Sequence, residues 1–255
     1  MNTNKIAFIT GASAGIGEAT AIKLAQEGYN LILNARRTDR LGKLKSELEN
    51  KFQTKILLLP FDVRNREEVG KQIASIPPEW QKIDVLVNNA GLASGMSNIA
   101  DGDMDDWDVM IDTNIKGLLY VTRNVVPLMI KHKTGHIINI GSIAGKEVYA
   151  NGNVYCATKF AVDALSKSMR LDLLAKDIKV SAIHPGAIET EFSIVRFHGD
   201  KERAKKVYEG FDNLVAEDIA EAIWFVLSRP SHVNINELTI MPTAQAQAGV
   251  IQRKN

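Results

Sequence analysis

Short apolar runs alternate with longer amphipathic stretches along the whole chain. KIAFIT (5–10), NLILNA (30–35), KILLLPFDV (55–63), IDVLVNNAG (83–91), GHIINIGS (135–142), IKVSAIHPG (178–186) and NELTIMP (236–242) read as strands, the fourth ending in a turn. The stretches between them predict helices. One runs from the glycine-rich turn after Thr10 to about Glu27, and a charged one covers TDRLGKLKSELENKF. Another spans 65–76 and is stopped by Pro77 and Pro78. A long helix covers about 104–132, with Pro127 bending its last turns. A second long helix covers about 153–176, and a last one lies near 217–228. A loop-rich insertion is expected over 187–215 and an extended tail over 243–255. Continuous apolar strands belong to a sheet covered on both faces. Strands alternating with helices through right-handed crossovers give an α/β fold with a doubly wound parallel sheet. With no repeat and no linker, residues 1–255 read as a single domain.

Composition changes this picture little. A chain of 255 residues can bury a sizeable core. Its 31 Lys and Arg nearly balance 30 Asp and Glu, so charge points to neither nucleic acid nor an anionic membrane as partner. No stretch approaches bilayer length. The N-terminus MNTNKIAFITGASAG lacks the apolar core and cleavage site of a signal peptide. One cysteine, Cys156, excludes a disulfide within the chain and suits a reducing compartment. A cytoplasmic protein is expected. No His, Cys and carboxylate cluster has metal-ligand spacing, so no metal is expected.

TGASAGIG follows the first strand and opens the first helix. Gly11, Gly15 and Gly17, with Ser13, Ala14 and Ile16, form a turn that lets a pyrophosphate approach the backbone at a helix N-terminus. An acidic residue at the end of the second strand would accept bonds from the ribose 2′-hydroxyl of NAD. Here Arg36 and Arg37 stand there, and guanidinium groups instead clamp a 2′-phosphate, which favours NADP. Asp62 and Val63 end the third strand near the expected adenine; the Asp62 carboxylate either bonds the adenine amine or caps the next helix. Asn89, Ala90 and Gly91 end the fourth strand at the carboxyl edge, where ligands sit.

Three further residues can converge on that edge. Ser142 ends the fifth strand; Tyr155 and Lys159 lie one turn apart on the following helix. A serine hydroxyl can bind a substrate oxygen, and an ammonium beside a phenol lowers its pKa toward use as an acid/base. Asn114 is a poor helix former inside a long helix; its side chain, or disturbed backbone near it, is a candidate for holding a water joined to Lys159. Tyr149 is the competing phenol, but Asn153 rather than lysine lies four residues beyond it. Cys156 reads as a small packing residue.

TGASAGIG, NNAG (88–91), Asn114, Ser142 and YCATK (155–159), in order and at these spacings, resemble the short-chain dehydrogenase/reductase family over essentially the whole chain. The resemblance implies a single Rossmann-type domain and hydride transfer between a nicotinamide and a carbonyl or alcohol carbon. It implies Tyr155 as acid/base, Lys159 as its electrostatic partner and ribose ligand, Ser142 as oxygen donor and Asn114 as support for a relay water. HPG (184–186) with Ile188 and Thr190 looks like the family's segment over the nicotinamide, which adds Pro185 and Gly186 to the cofactor residues.

ETEFSIVRFHGDKERAKKVYEG and SRPSHVNINELTIMPTAQAQAG resemble a narrower group, the NADP-dependent 3-hydroxy acid dehydrogenases, which includes serine and allo-threonine dehydrogenases and malonic semialdehyde reductases. Such a substrate needs a cation or amides to hold its carboxylate. Arg196, in the insertion, is the candidate, with a surface or loop-to-loop ion pair as the plain alternative. Ser142 and Tyr155 would bind the C3 oxygen. Two other functions use the same motifs: reduction of 3-oxoacyl thioesters or general ketones, and non-catalytic dinucleotide sensing or scaffolding. By family resemblance the chain is expected to form a homotetramer through its long helices.

Overall fold

In the computed structural model, which describes residues 4–254, seven strands form one parallel sheet in the order β3-β2-β1-β4-β5-β6-β7. They are β1 (Ile6–Thr10), β2 (Asn30–Asn34), β3 (Ile56–Leu58), β4 (Ile83–Asn88), β5 (His136–Ile140), β6 (Lys179–Pro185) and β7 (Glu237–Ile240). Residues 1–3 and 255 of the expected domain lie outside the described residues. Every residue of β1 and β5 is buried, because helices cover both faces. On one face α1 (Gly15–Gln26), α2 (Thr38–Lys51) and α9 (Ala216–Leu227) bring Leu24, Leu41, Leu48, Ile219 and Ile223 onto Ala7, Ile9, Leu31 and Leu33. On the other, α3 (Arg66–Ala74), α5 (Leu118–His132) and α6 (Asn153–Asp172) bring Val69, Val121, Val125, Met129 and Val162 onto Phe8, Ile32, Leu86 and Ile137. Neighbours such as Phe8 and Ile9 point to opposite cores, as the two-residue strand period requires. Each large apolar side chain buried this way contributes roughly 1.5–3 kcal/mol.

Five expectations change in detail. The third strand pairs over Ile56–Leu58 rather than 55–63, because Pro60 has no N–H for the ladder. The Asn34 side chain bridges the gap, donating to the carbonyls of Leu59 and Phe61 at 3.0 Å each. The long helix over 104–132 is continuous but not uniform: α4 (Met104–Ile111) passes through a π-helical stretch, Asp112–Gly117, into α5, and Pro127 lies inside α5. α6 ends at Asp172, and a separate 3₁₀ turn, Leu174–Lys176, follows. The insertion is helical where loop was expected, with α7 (Phe192–Arg196) and α8 (Lys201–Lys206) capped by Asp200, whose carboxylate accepts from Arg203 N. The extended tail pairs with itself as β8 (Gln245–Gln247) and β9 (Val250–Ile251). It then folds onto the insertion: Lys254 N donates to Gly210 O at 2.6 Å and Arg253 to Val207 O at 3.0 Å. No helix among the described residues is long and apolar enough to cross a membrane.

Candidate active site

β1 and β4 are adjacent in the sheet, yet their following connections leave to opposite faces, so the chain parts at their carboxyl ends. A cavity of about 820 Å³ opens there. Thr10 and Asn89 tie its floor together. Thr10 Oγ1 accepts from the amides of Asn89 (3.1 Å) and Ala90 (3.0 Å), and Asn89 Nδ2 donates to Thr10 O at 2.9 Å. Gly11 holds φ +66° and Gly15 φ +55°, values that favour glycine. A Cβ on Gly17 would stand 2.3 Å from Gly11 O and 2.5 Å from Asn89 Nδ2. Gly17 thus packs the turn from behind, while Gly11, Ser13, Ala14, Gly15 and Ile16 line the cavity. Ala14 begins α1 with no side-chain cap, which leaves first-turn amides for an anion.

At the far end of the cavity, Arg37 Nε donates to Ser13 Oγ at 3.2 Å and its Nη1 to Glu191 at 2.8 Å. Arg40 reaches the other oxygen of Glu191 at 2.8 Å. The Arg36 side chain is 62% exposed and lies 3.7 Å from Asp62. The helix-cap alternative for Asp62 fails: Asn65 caps α3, accepting from Glu68 N. The Asp62 carboxylate instead accepts from the amide and guanidinium of Arg64. Burial pushes its pKa up, but the Arg64 bonds outweigh this and hold it below the usual carboxylate range.

Ser142, Tyr155 and Lys159 meet beside Ile140 and Gly91. Ser142, in extended backbone, accepts at Oγ from Ala144 N at 3.1 Å and is close enough to the Tyr155 phenol to favour its ionised form. Lys159 Nζ donates to Ile140 O at 2.9 Å and sits 5.9 Å from the centre of the Tyr155 ring. Burial drops the Lys159 pKa to about 8. The expected lowering of the Tyr155 phenol does not occur in this cavity. Burial pushes it above the ordinary tyrosine value, Tyr149 adds to that, and Ser142 and Arg196 only partly oppose it. The Asn114 side chain bonds Leu92 N (2.9 Å), Leu92 O (2.8 Å) and Thr158 Oγ1 (3.0 Å), which leaves one acceptor site on its amide oxygen. It sits in a π-helical turn, the disturbed backbone expected near it.

α7 carries Arg196 over this cluster. Its guanidinium carbon lies 5.0 Å from the Tyr155 ring centre and 5.6 Å from those of Tyr149 and Phe192, within cation–π range. One terminal nitrogen donates to the Tyr149 hydroxyl, while Nε is buried with no partner. Arg196 therefore makes neither of the surface contacts offered as its alternative; it is a half-satisfied cation inside the cavity. Pro185, Gly186, Ile188 and Thr190 form the cavity wall that leads to it, and Val63 and Ala90 line the opposite side. Sequence spacing discarded Tyr149 for lack of a lysine, but its hydroxyl belongs to the group around Arg196. Phe192, stacked edge-on 5.6 Å from Tyr155, and Glu191 also went unread. Gln245 did too: it comes from the tail, and its Oε1 accepts from Ala187 N at 2.7 Å. Cys156 is buried, as a packing residue should be.

The family model for short chain dehydrogenases matches residues 5–200. The NADP-dependent 3-hydroxy acid dehydrogenase YdfG of Salmonella typhi is 49% identical over 247 residues, covering 96% of this chain and 98% of its own. The NADP-dependent 3-hydroxy acid dehydrogenase of Schizosaccharomyces pombe is 42% identical over 251 residues, covering 98% and 97%. Among solved structures, the closed form of serine dehydrogenase complexed with NADP+ superposes with a TM-score of 0.90 at 47% identity, covering 98% of this chain and 100% of that one.

Proposed function

This chain belongs to the short-chain dehydrogenase family, and from that membership we propose that it is an NADP-dependent oxidoreductase acting at C3 of small 3-hydroxy acids of the serine, allo-threonine or 3-hydroxypropionate type. Full-length relatives that carry NADP-dependent 3-hydroxy acid activity in their names support the reaction class. The residues of the cavity fit the cofactor. The glycine turn leaves no room for a Cβ at Gly17, α1 starts with open amides, and Arg36 and Arg37 flank the end where a 2′-phosphate would lie. Bound there, NADP accepts or supplies the hydride.

The chain's own residues do the rest. Ser142 Oγ and the Tyr155 hydroxyl hold the C3 oxygen. Tyr155 gives its proton to a carbonyl oxygen in reduction and takes it back in oxidation. Burial favours the protonated phenol, which prepares it as a donor. Lys159 fixes the ribose and lends positive charge near the phenol. Asn114 shapes the π-helical turn beside them. Arg196 binds the carboxylate, and Tyr149 and Phe192 hold Arg196 in place.

The observation that supports the substrate class is the Arg196 guanidinium, which lines the cavity 5.0 Å from the Tyr155 ring and whose buried Nε has no partner among the described residues. A carboxylate would give the guanidinium a countercharge and charge-assisted bonds, whereas a neutral ketone or alcohol would leave the charge unpaired. Arg196→Ala should raise KM for a 3-hydroxy acid at least tenfold and change KM for an uncharged alcohol less than twofold. Equal effects on the two substrates would remove the carboxylate assignment. The same reading takes the protein to be a homotetramer paired through α5 and α6, whose outer surfaces expose Leu119, Phe160 and Leu171, with Leu174 just beyond α6.

A further inference from the structure

Behind Ser142 lies a partly buried ionic cluster that the mechanism does not use. α6 presents Tyr155, Lys159 and Asp163 at four-residue steps, so Asp163 continues the active-site face one turn deeper. Lys146, from the turn that follows Ser142, sits 2.6 Å from Asp163 Oδ1 and 2.6 Å from Glu237 Oε2. Lys167 closes the other side, 2.8 Å from Asp163 Oδ2 and 3.6 Å from Glu237 Oε1. His184, on β6, is fully buried and brings Nε2 within 3.5 Å of Asp163 Oδ1. Asp163, His184 and Glu237 offer three ligand atoms within 4.8 Å of one another, but the Lys146 ammonium already bridges both carboxylates where a cation would go.

The other ring nitrogen is the informative one. His184 Nδ1 lies 3.2 Å from the carbonyl oxygen of Ser142. A carbonyl only accepts, so this nitrogen must carry the proton. The contact is close by construction: a Cβ on Gly141 would stand 2.5 Å from His184 Nδ1, so glycine before Ser142 lets the ring in. Gly145 N donates to the same carbonyl at 2.9 Å, and a Cβ on Gly145 would meet Lys159 O at 2.6 Å. The serine's turn is thus clamped between β6 and α6. Nε2 has no hydrogen-bond partner among the described residues; the Asp163 oxygen it faces, 3.5 Å away, accepts from Lys146 at 2.6 Å. Burial, with Lys146 disfavouring a second positive charge, holds the imidazole below its ordinary range and hence neutral.

We propose that His184 is a positioning residue: its Nδ1–H, donated to the Ser142 carbonyl, fixes the serine's turn and so keeps the Ser142 hydroxyl on Tyr155. The inference rests on the reading of Ser142 and Tyr155 as the oxygen-binding pair. It does not depend on the substrate class.

The first test needs no substrate. Protein labelled with [15N]histidine, read by long-range 1H–15N correlation at pH 7.5 and assigned by loss of one ring in His184→Asn, should give the Nδ1–H tautomer for His184. An Nε2–H tautomer or an imidazolium overturns the proposal. The second test compares two amides. Asparagine reproduces a donor near the Nδ1 position, and glutamine reaches toward Nε2. His184→Asn should keep kcat within threefold of the unmodified protein. His184→Gln, or His184→Ala if the glutamine variant does not fold, should lose at least tenfold in kcat. NADPH affinity in all of them should stay within twofold. Equal kcat values, or a faster glutamine than asparagine variant, would also overturn it. If the unmodified protein ignores 3-hydroxy acids, the substrate assignment fails on its own, and the same kcat comparison is made with whichever carbonyl compound it reduces.

Discussion

Tyr155 illustrates how much a residue owes to its surroundings. In the sequence it is one of two nearby phenols, chosen because Lys159 lies one turn on. In the fold, burial raises its pKa and the lysine ammonium donates to Ile140 O, so the surroundings favour the protonated phenol. Tyr155→Phe should leave NADPH affinity within twofold and cut kcat at least about 100-fold, the scale of a lost general acid; a rate within tenfold of the parent would refute its role. A second buried residue sets the response to acid. His136 in β5 contacts Ser181 Oγ at 2.8 Å, and burial, helped by Lys179, pushes its pKa down to about 3. The unfolded chain binds that proton below about pH 6.5, whereas the folded one does so only near pH 3. Stability from the neutral ring is present above that window and is lost as pH falls through it, by about 2 kcal/mol at pH 5. His136→Gln should flatten the fall in Tm between pH 7 and pH 5, and parallel curves for parent and variant would reject this account.

At the scale of elements, the turn between β1 and α1 is the clearest case of local sequence serving a tertiary contact. Gly17 has no unusual backbone angle; what it needs is space, because Gly11 O and Asn89 from another strand fill the place of a Cβ. Gly17→Ala should cost about 1–3 kcal/mol by overpacking and weaken NADPH binding about tenfold, read by thermal melting and fluorescence titration. Gly42 on α2 has nothing within 4 Å, so Gly42→Ala should be neutral or stabilising by up to about 1 kcal/mol. If both substitutions behave alike, packing is not the reason for Gly17. Other elements were legible in kind but not in length. The strand at 55–63 breaks at Pro60 and survives through Asn34, a partner 25 residues away from the Leu59 carbonyl that it bonds. The π-helical stretch at Asp112–Gly117 surrounds Asn114, whose side chain is held by Leu92 from the next segment. Propensity had marked Asn114 as out of place without saying what compensates it.

For the whole molecule, the quaternary proposal has a direct check. Leu171 and Leu174 are 77% and 74% exposed in the single chain. A tetramer should sediment as such at micromolar concentration, and Leu171→Glu with Leu174→Glu should shift it to smaller species; a monomeric parent would end the idea. By itself the sequence determined the sheet, its covered faces and which residues stand at its carboxyl edge, because two-residue and helical periods, glycine turns and the Ser142, Tyr155 and Lys159 spacing are local properties of the chain. Tertiary structure alone decided the rest. Arg196 became a cavity cation only when α7 folded over Tyr155, and Tyr149 joined it because the insertion brought a guanidinium to its hydroxyl. Asp62 lost its capping option to Arg64 and Asn65, while Lys146, Asp163, His184 and Glu237 converged from four separate segments behind Ser142. These assignments depend on distance and desolvation between segments far apart in the chain, and neither quantity exists until the sheet is wound.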